Sequence, residues 1–202
     1  MDLAALVLTF GAIFVVELPD KTFLATLVLA TRYRPLLVWI GVGLAFTVQT
    51  AIAVALGSVA TLLPQDLVRG VAAALFLAGA VVLVREGRRH AGAAAADAAD
   101  TEEYAVDAAP AVGWRAVLAS FLILFAAEWG DLSQLLTVSL VARYEAPLSV
   151  FAGALGALLT VSALAVIVGR SLLRRVALHV LHFVGAGVCV LLATLTLVEL
   201  AR

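Results

Sequence analysis

Apolar residues fill six long runs of the chain with few polar interruptions: Leu3–Thr31, Leu36–Leu62, Leu67–Val84, Trp114–Val141, Leu148–Val168 and Val176–Leu200. About 20 such residues cross the hydrocarbon core of a bilayer as a helix. The pattern therefore predicts an all-α integral membrane protein with six transmembrane helices. The first and fourth runs exceed the spanning length. Tilt can absorb the excess, and so can a break in the helix. Pro19 removes a backbone donor inside the first run, and Gly130 loosens the fourth. The same two runs hold charged residues in matching order: Glu17-Leu18-Pro19-Asp20-Lys21-Thr22 and Glu128-Trp129-Gly130-Asp131-Leu132-Ser133.

The match extends beyond these motifs. An offset of 111 carries Glu17 to Glu128, Asp20 to Asp131, Thr22 to Ser133, Arg32 to Arg143 and Tyr33 to Tyr144. An offset of 112 carries Pro35 to Pro147, Gly41 to Gly153 and Gly57 to Gly169. The third helices, around Phe76 and Phe183, align less clearly. The pattern predicts a duplicated three-helix unit, with residues 1–86 as the first repeat, 87–113 as a linker and 114–202 as the second repeat. Three is odd, so the two units enter the membrane from opposite sides. One face receives Arg32, Arg34, Arg85, Arg88, Arg89, Arg115, Arg170, Arg174 and Arg175; the other receives Arg69, Arg143 and Arg202. The positive-inside rule makes the first face cytoplasmic. The expectation is a multi-pass protein of the cell membrane (inner or plasma), with both termini outside and the linker inside. The two repeats would then be inverted, an architecture that lets one site face either side in turn.

Composition agrees with this reading. Of the 202 residues, 64% are hydrophobic and 13% charged, where a soluble domain is about half apolar. The net charge of −1 and the lack of a basic patch leave no footprint for nucleic acid. Met1-Asp2-Leu3 lacks the positive start of a cleaved signal peptide, so the first run is expected to stay as a helix. Cys189 is the single cysteine, which excludes an intrachain disulfide and a thiolate cluster. The linker, with Asp97, Asp100, Glu102, Glu103 and Asp107 among alanines, reads as a solvated tether.

Ionisable groups inside a bilayer are costly and usually functional. Residues i and i+3 of a helix share a face, which aligns Glu17 with Asp20 and Glu128 with Asp131. Lys21, the one lysine, lies four residues after Glu17. If the motif helices meet, four carboxylates converge, with hydroxyl oxygens from Thr22 and Ser133. All-oxygen donors suit the hard cations Ca²⁺, Mg²⁺ and Mn²⁺ rather than Zn²⁺ or Cu(I). Four such acids cannot all stay ionised without a cation. An empty site should hold protons that a loaded site releases, which is the basis of cation/proton exchange. Buried ion pairs that only orient helices are the structural alternative, but four acids with one base cannot neutralise one another.

At these residues the chain resembles the Gdt-type cation/proton exchangers, also known as uncharacterised protein family 16, whose mark is Glu-x-Gly-Asp-(Lys/Arg)-(Thr/Ser) in two copies. The resemblance covers the whole chain. It implies export of Mn²⁺ or Ca²⁺ from the cytosol against protons, Mn²⁺ first, with Glu17, Asp20, Glu128 and Asp131 as cation ligands and Thr22 and Ser133 beside them. Two departures stand out. Pro19 replaces the first glycine, and Leu132 replaces the second base, leaving the site one positive charge poorer and expected to hold an extra proton when empty.

No resident cofactor is expected; Mn²⁺ or Ca²⁺ is cargo and H⁺ the counter-ion. The expected partners are the lipid bilayer and the divalent cation, with a second copy of the chain as a further candidate. No Gly-rich phosphate loop, Ser/His/Asp set or His-Glu-x-x-His run supports an enzyme. The competing readings are a proton-coupled exporter of small organic solutes such as amino acids, and a non-transporting membrane scaffold. Weaker signals are His179 and His182 near a helix end, Trp39 and Trp114 at belt positions, and Gly41, Gly43, Gly153 and Gly156 for close packing. Gln49 and Gln134 either line the path or bind helices together.

Overall fold

The over-long apolar runs resolve into broken helices. The computed structural model describes residues 1–18, 21–62, 64–92, 113–173 and 178–200; side chains are described at these positions except 21, 24, 65, 86, 89–92, 168–173, 178–182, 185 and 199. The first run forms α1 (Leu3–Glu17) and α2 (Lys21–Arg32), followed by α3 (Pro35–Ala60) and α4 (Gln65–Gly92). The fourth run forms α5 (Trp114–Ala127) and α6 (Leu132–Tyr144), followed by α7 (Pro147–Leu173) and α8 (Leu178–Leu200). The described residues contain helices and no strand. Proline opens both α3 and α7, where its missing N–H costs nothing.

Predicted and observed segments agree closely except at the C-terminal ends of α4 and α7, the latter running from the predicted Val168 on to Leu173. The apolar run ends at Val84, but the helix continues to Gly92. Arg85, Arg88 and Arg89 are good helix formers, so apolarity marks where the greasy part stops and not where the helix does. Three helical stretches are long and apolar enough to cross a membrane: Pro35–Ala60, Asp66–Arg85 and Pro147–Ile167. A fourth arises if α5 and α6, bent by 73° at their break, count as one span. α1, with 15 residues, and the apolar stretch Ala186–Val198 of α8 are shorter.

Each long central helix backs a broken pair from the other end of the chain. α7 runs alongside α1 and α2. The amide of Asp2 donates to Ser149 Oγ at 2.8 Å, Gly153 lies against Leu6, Thr9 and Phe10, and Val161 and Ala165 pack with Phe14, Leu18 and Phe23. α3 runs alongside α5 and α6 in the same manner. Gly41 lies against Val117, Ser120 and Phe121, Gln49 Nε2 donates to the Phe125 carbonyl at 3.0 Å, and Gly57 meets Val138 and Val141. A Cβ on Gly41 would stand 2.4 Å from the Val117 carbonyl oxygen, and one on Gly153 would stand 2.5 Å from that of Leu6. Both crossings therefore require glycine. Phe10 stacks on Phe14 at 5.7 Å, and Phe121 on Phe125 at 5.4 Å.

α4 and α8 pack extensively on each other, and α4 also on α6. Phe76 is fully buried in α4, whereas Phe183 of α8 is 42% exposed, so these two phenylalanines do not occupy matching places. Trp39 is drawn inward: its Nε1 donates to the Leu159 carbonyl at 3.2 Å. Trp114 is 70% exposed. The side chains of His179 and His182 lie outside the described residues.

Candidate cation site

Helix ends position the acids. α1 ends at Glu17, whose side chain is 0% exposed. α5 ends at Ala127 with Glu128 as its cap, 5% exposed, in a near-bridge conformation (φ −96°, ψ 11°). Gly130 turns the chain at φ +79°, a conformation that favours glycine. Asp131 then caps α6 with extended backbone (φ −68°, ψ 166°). Its carboxylate is not spent on the cap: no side-chain cap bond forms, and Asp131 Oδ2 is buried without a hydrogen-bond partner among the described residues.

One carboxylate oxygen from each of Glu17, Glu128 and Asp131 lies within 4.8 Å of the other two. At an effective dielectric of about 20, two unit charges at roughly that spacing repel by about 3 kcal/mol. Three carboxylates this close favour a positive charge or protons near them. The donor chemistry is hard oxygen, matched to Ca²⁺, Mg²⁺ or Mn²⁺. Asp20, the fourth acid of the sequence motif, lies outside the described residues, as does the side chain of Lys21.

The remaining motif residues fall in three groups. Thr22 (1% exposed) and Ser133 (6% exposed) are buried at the starts of α2 and α6. Gln134 braces the break: its Nε2 donates to the Glu128 carbonyl at 2.6 Å, and its Oε1 accepts from the Gly130 amide at 3.3 Å. It holds the turn between Glu128 and Asp131 in shape. Leu132 fills the notch at Gly79 of α4, where a Cβ would stand 2.8 Å from Leu132 Cδ1 and 3.6 Å from Cys189 Sγ. Gln49 binds α3 to the last turn of α5, the helix-joining role of the two open to it.

One residue that the motifs do not mark follows closely along the chain. Thr26, 0% exposed, lies one turn beyond Thr22 on the same face of α2. Neither hydroxyl has a hydrogen-bond partner among the described residues. Leaving a buried hydroxyl unsatisfied costs about 1–3 kcal/mol. The signal in the sequence was the i, i+4 spacing of two threonines directly after the motif.

An apolar helical bundle with acids gathered at the breaks of its helices is the build of a membrane transporter. The model of the family described as "Divalent cation/proton antiporter GDT1" matches residues 5–91 and again 116–202, and the chain belongs to that family. A GDT1-like protein of Synechocystis is 31% identical over 86% of this chain and 86% of its own length. A Vibrio cholerae protein named "Putative manganese exporter" is 31% identical over 96% of this chain and 90% of its own. The chloroplast protein PAM71 of Arabidopsis thaliana is 29% identical over 95% of this chain, which spans 56% of that relative. No solved structure matches the chain. The family is a class of transporter and not of enzyme.

Proposed function

We propose that this protein exports a divalent cation from the cytosol in exchange for protons, with Mn²⁺ as the first substrate and Ca²⁺ as the second. The observation that carries the reading is the convergence of one carboxylate oxygen each from Glu17, Glu128 and Asp131 within 4.8 Å, with both glutamates buried and Asp131 half-buried in an apolar bundle. Such acids hold either a cation or protons, so one displaces the other. Asp20 completes the ligand set by analogy with Asp131, Lys21 offsets one charge, and Thr22 and Ser133 add neutral oxygens. Gln134 holds the Glu128 turn. The Vibrio relative's name favours Mn²⁺; the donor set itself accepts Mn²⁺, Ca²⁺ and Mg²⁺ alike.

Alternating access follows from two inverted three-helix repeats, 1–86 and 114–202, in which each broken pair counts as one span. Support comes from the two stretches matched by the family model and from the paired crossings. Gly41 meets Val117, Ser120 and Phe121, while Gly153 meets Leu6, Thr9 and Phe10. These partners are related by the same offsets of 112 and 111 as the sequence motifs. The arginine distribution directs both termini outward and the linker into the cytoplasm of a cell carrying the protein in its inner or plasma membrane.

The test is reconstitution in liposomes under a proton gradient, with Mn²⁺, Ca²⁺ and Mg²⁺ uptake measured in turn. Movement of Mn²⁺ coupled to counterflow of protons is the expected result. A wild-type protein that moves none of the three overturns the reading.

A further inference from the structure

We infer that Thr22 and Thr26 form an oxygen-donor step for the hard divalent cation on the α2 side of the site, with Thr26 as the first oxygen the cation meets on entry. The inference rests on the antiporter reading and deepens it.

Many hydroxyls in these helices turn onto their own backbone, although the buried Thr9 and Ser120, like Thr22 and Thr26, have no partner among the described residues. Thr47, Thr137, Thr160, Thr194 and Thr196 each donate to the carbonyl four residues earlier, at 2.6–2.8 Å. This bond satisfies a buried hydroxyl without any help from neighbours. Thr26 has the Thr22 carbonyl available in the same position and does not use it. Its oxygen is buried at 0% exposure, and neither it nor the Thr22 oxygen has a hydrogen-bond partner among the described residues. The two are separated by one helical turn, about 6 Å along the axis. Thr22 directly follows the acidic motif. The next residues on the same face are Leu29, 2% exposed and apolar, and Tyr33, 7% exposed, so Thr26 is the last threonine oxygen on this face of α2. A cation stripped of part of its water needs replacement oxygens at each stage of its path, and two unspent hydroxyls supply them.

The corresponding place in the other half is spent differently. Thr137, at the offset of 111 from Thr26, turns its oxygen onto the Ser133 carbonyl at 2.7 Å. The step is therefore one-sided. α2 ends at Arg32 on the arginine-rich face, so Thr26 serves the cytoplasmic approach.

The experiment uses membrane vesicles with the cytoplasmic face outward and the interior acid, and reads the KM for external Mn²⁺. Thr26→Val should raise KM about tenfold, Thr26→Ser should remain within about twofold of wild type, and Thr137→Val should leave KM unchanged. Thr26→Cys adds a readout independent of Thr26→Val folding well. A thiolate is a soft ligand, so Cd²⁺ should block Mn²⁺ uptake by Thr26→Cys at about a tenth of the concentration needed for wild type. Wild-type KM in Thr26→Val, equal impairment of Thr26→Ser and Thr26→Val, or unaltered Cd²⁺ sensitivity in Thr26→Cys would each overturn this step while leaving the antiporter reading intact. Absence of uptake by the wild type itself would overturn that reading and this one with it.

Discussion

The side-chain amide of Gln134 donates to the Glu128 carbonyl at 2.6 Å, across the break between α5 and α6. The same amide group accepts from Gly130, so a single side chain closes the turn that separates Glu128 from Asp131. Outer supports of this kind are worth about 10–100-fold in metal affinity. Gln134→Ala is expected to weaken Mn²⁺ binding by at least about tenfold, read as a raised KM in liposome uptake. Gln134→Glu, which keeps the acceptor but loses the donor, should be similarly impaired.

Removing one acid of the cluster should separate binding from folding. A ligand bound only to the folded state stabilises it by about 2.7 kcal/mol at 100 times its dissociation constant. Wild-type protein in detergent should therefore melt higher when Mn²⁺ is added. Glu17→Gln and Asp131→Asn should lose that Mn²⁺-dependent rise and nearly all transport, while remaining folded without the cation. A retained Mn²⁺ shift in both variants would remove these residues from the site.

The two glycine crossings should respond alike. An added Cβ at Gly41 or Gly153 meets a backbone carbonyl oxygen at 2.4 or 2.5 Å, which a flexible side chain cannot relieve. Overpacking of this sort costs about 1–3 kcal/mol. Gly41→Ala and Gly153→Ala are expected to lower the melting temperature by comparable amounts. Gly11→Ala is the control, because nothing stands within 4 Å of its added Cβ.

Leu132 occupies the place of the family's second base, beside Asp131 in the chain, and its side chain packs at Gly79. Leu132→Arg should therefore have two effects. Stability falls, because the notch at Gly79 loses its filling. The pH profile of Mn²⁺ uptake moves toward acid, because a nearby guanidinium favours ionised carboxylates. An unchanged pH profile would count against a role for the missing charge in proton coupling.

The sequence revealed most of the framework because bilayers impose a coarse rule. Leu36–Leu62 became Pro35–Ala60, and of the two runs too long for one span the first holds one helix ending at Glu17 and another starting at Lys21, while the second is broken at Glu128–Asp131. The acids were legible as charge where charge is costly, and three of the four are brought together in the described residues. What stayed hidden depended on direction rather than residue type. Spacing suggested neither that Leu132 would turn toward Gly79 nor that Gln134 would close the Glu128 turn. Thr26 and Thr137 look equivalent in the chain, and only their rotamers distinguish them.

The interlacing of α1 and α2 with α7, and of α5 and α6 with α3, has a consequence for synthesis. When α1 emerges, the helix that will cover Gly153's partners Leu6, Thr9 and Phe10 is still more than a hundred residues from being made. The early half must wait in the bilayer, with Leu6, Thr9 and Phe10 uncovered, until α7 has been made. Insertion factors or lipid that shield this waiting half would then govern yield. Two half-length chains made together should assemble where either alone is degraded.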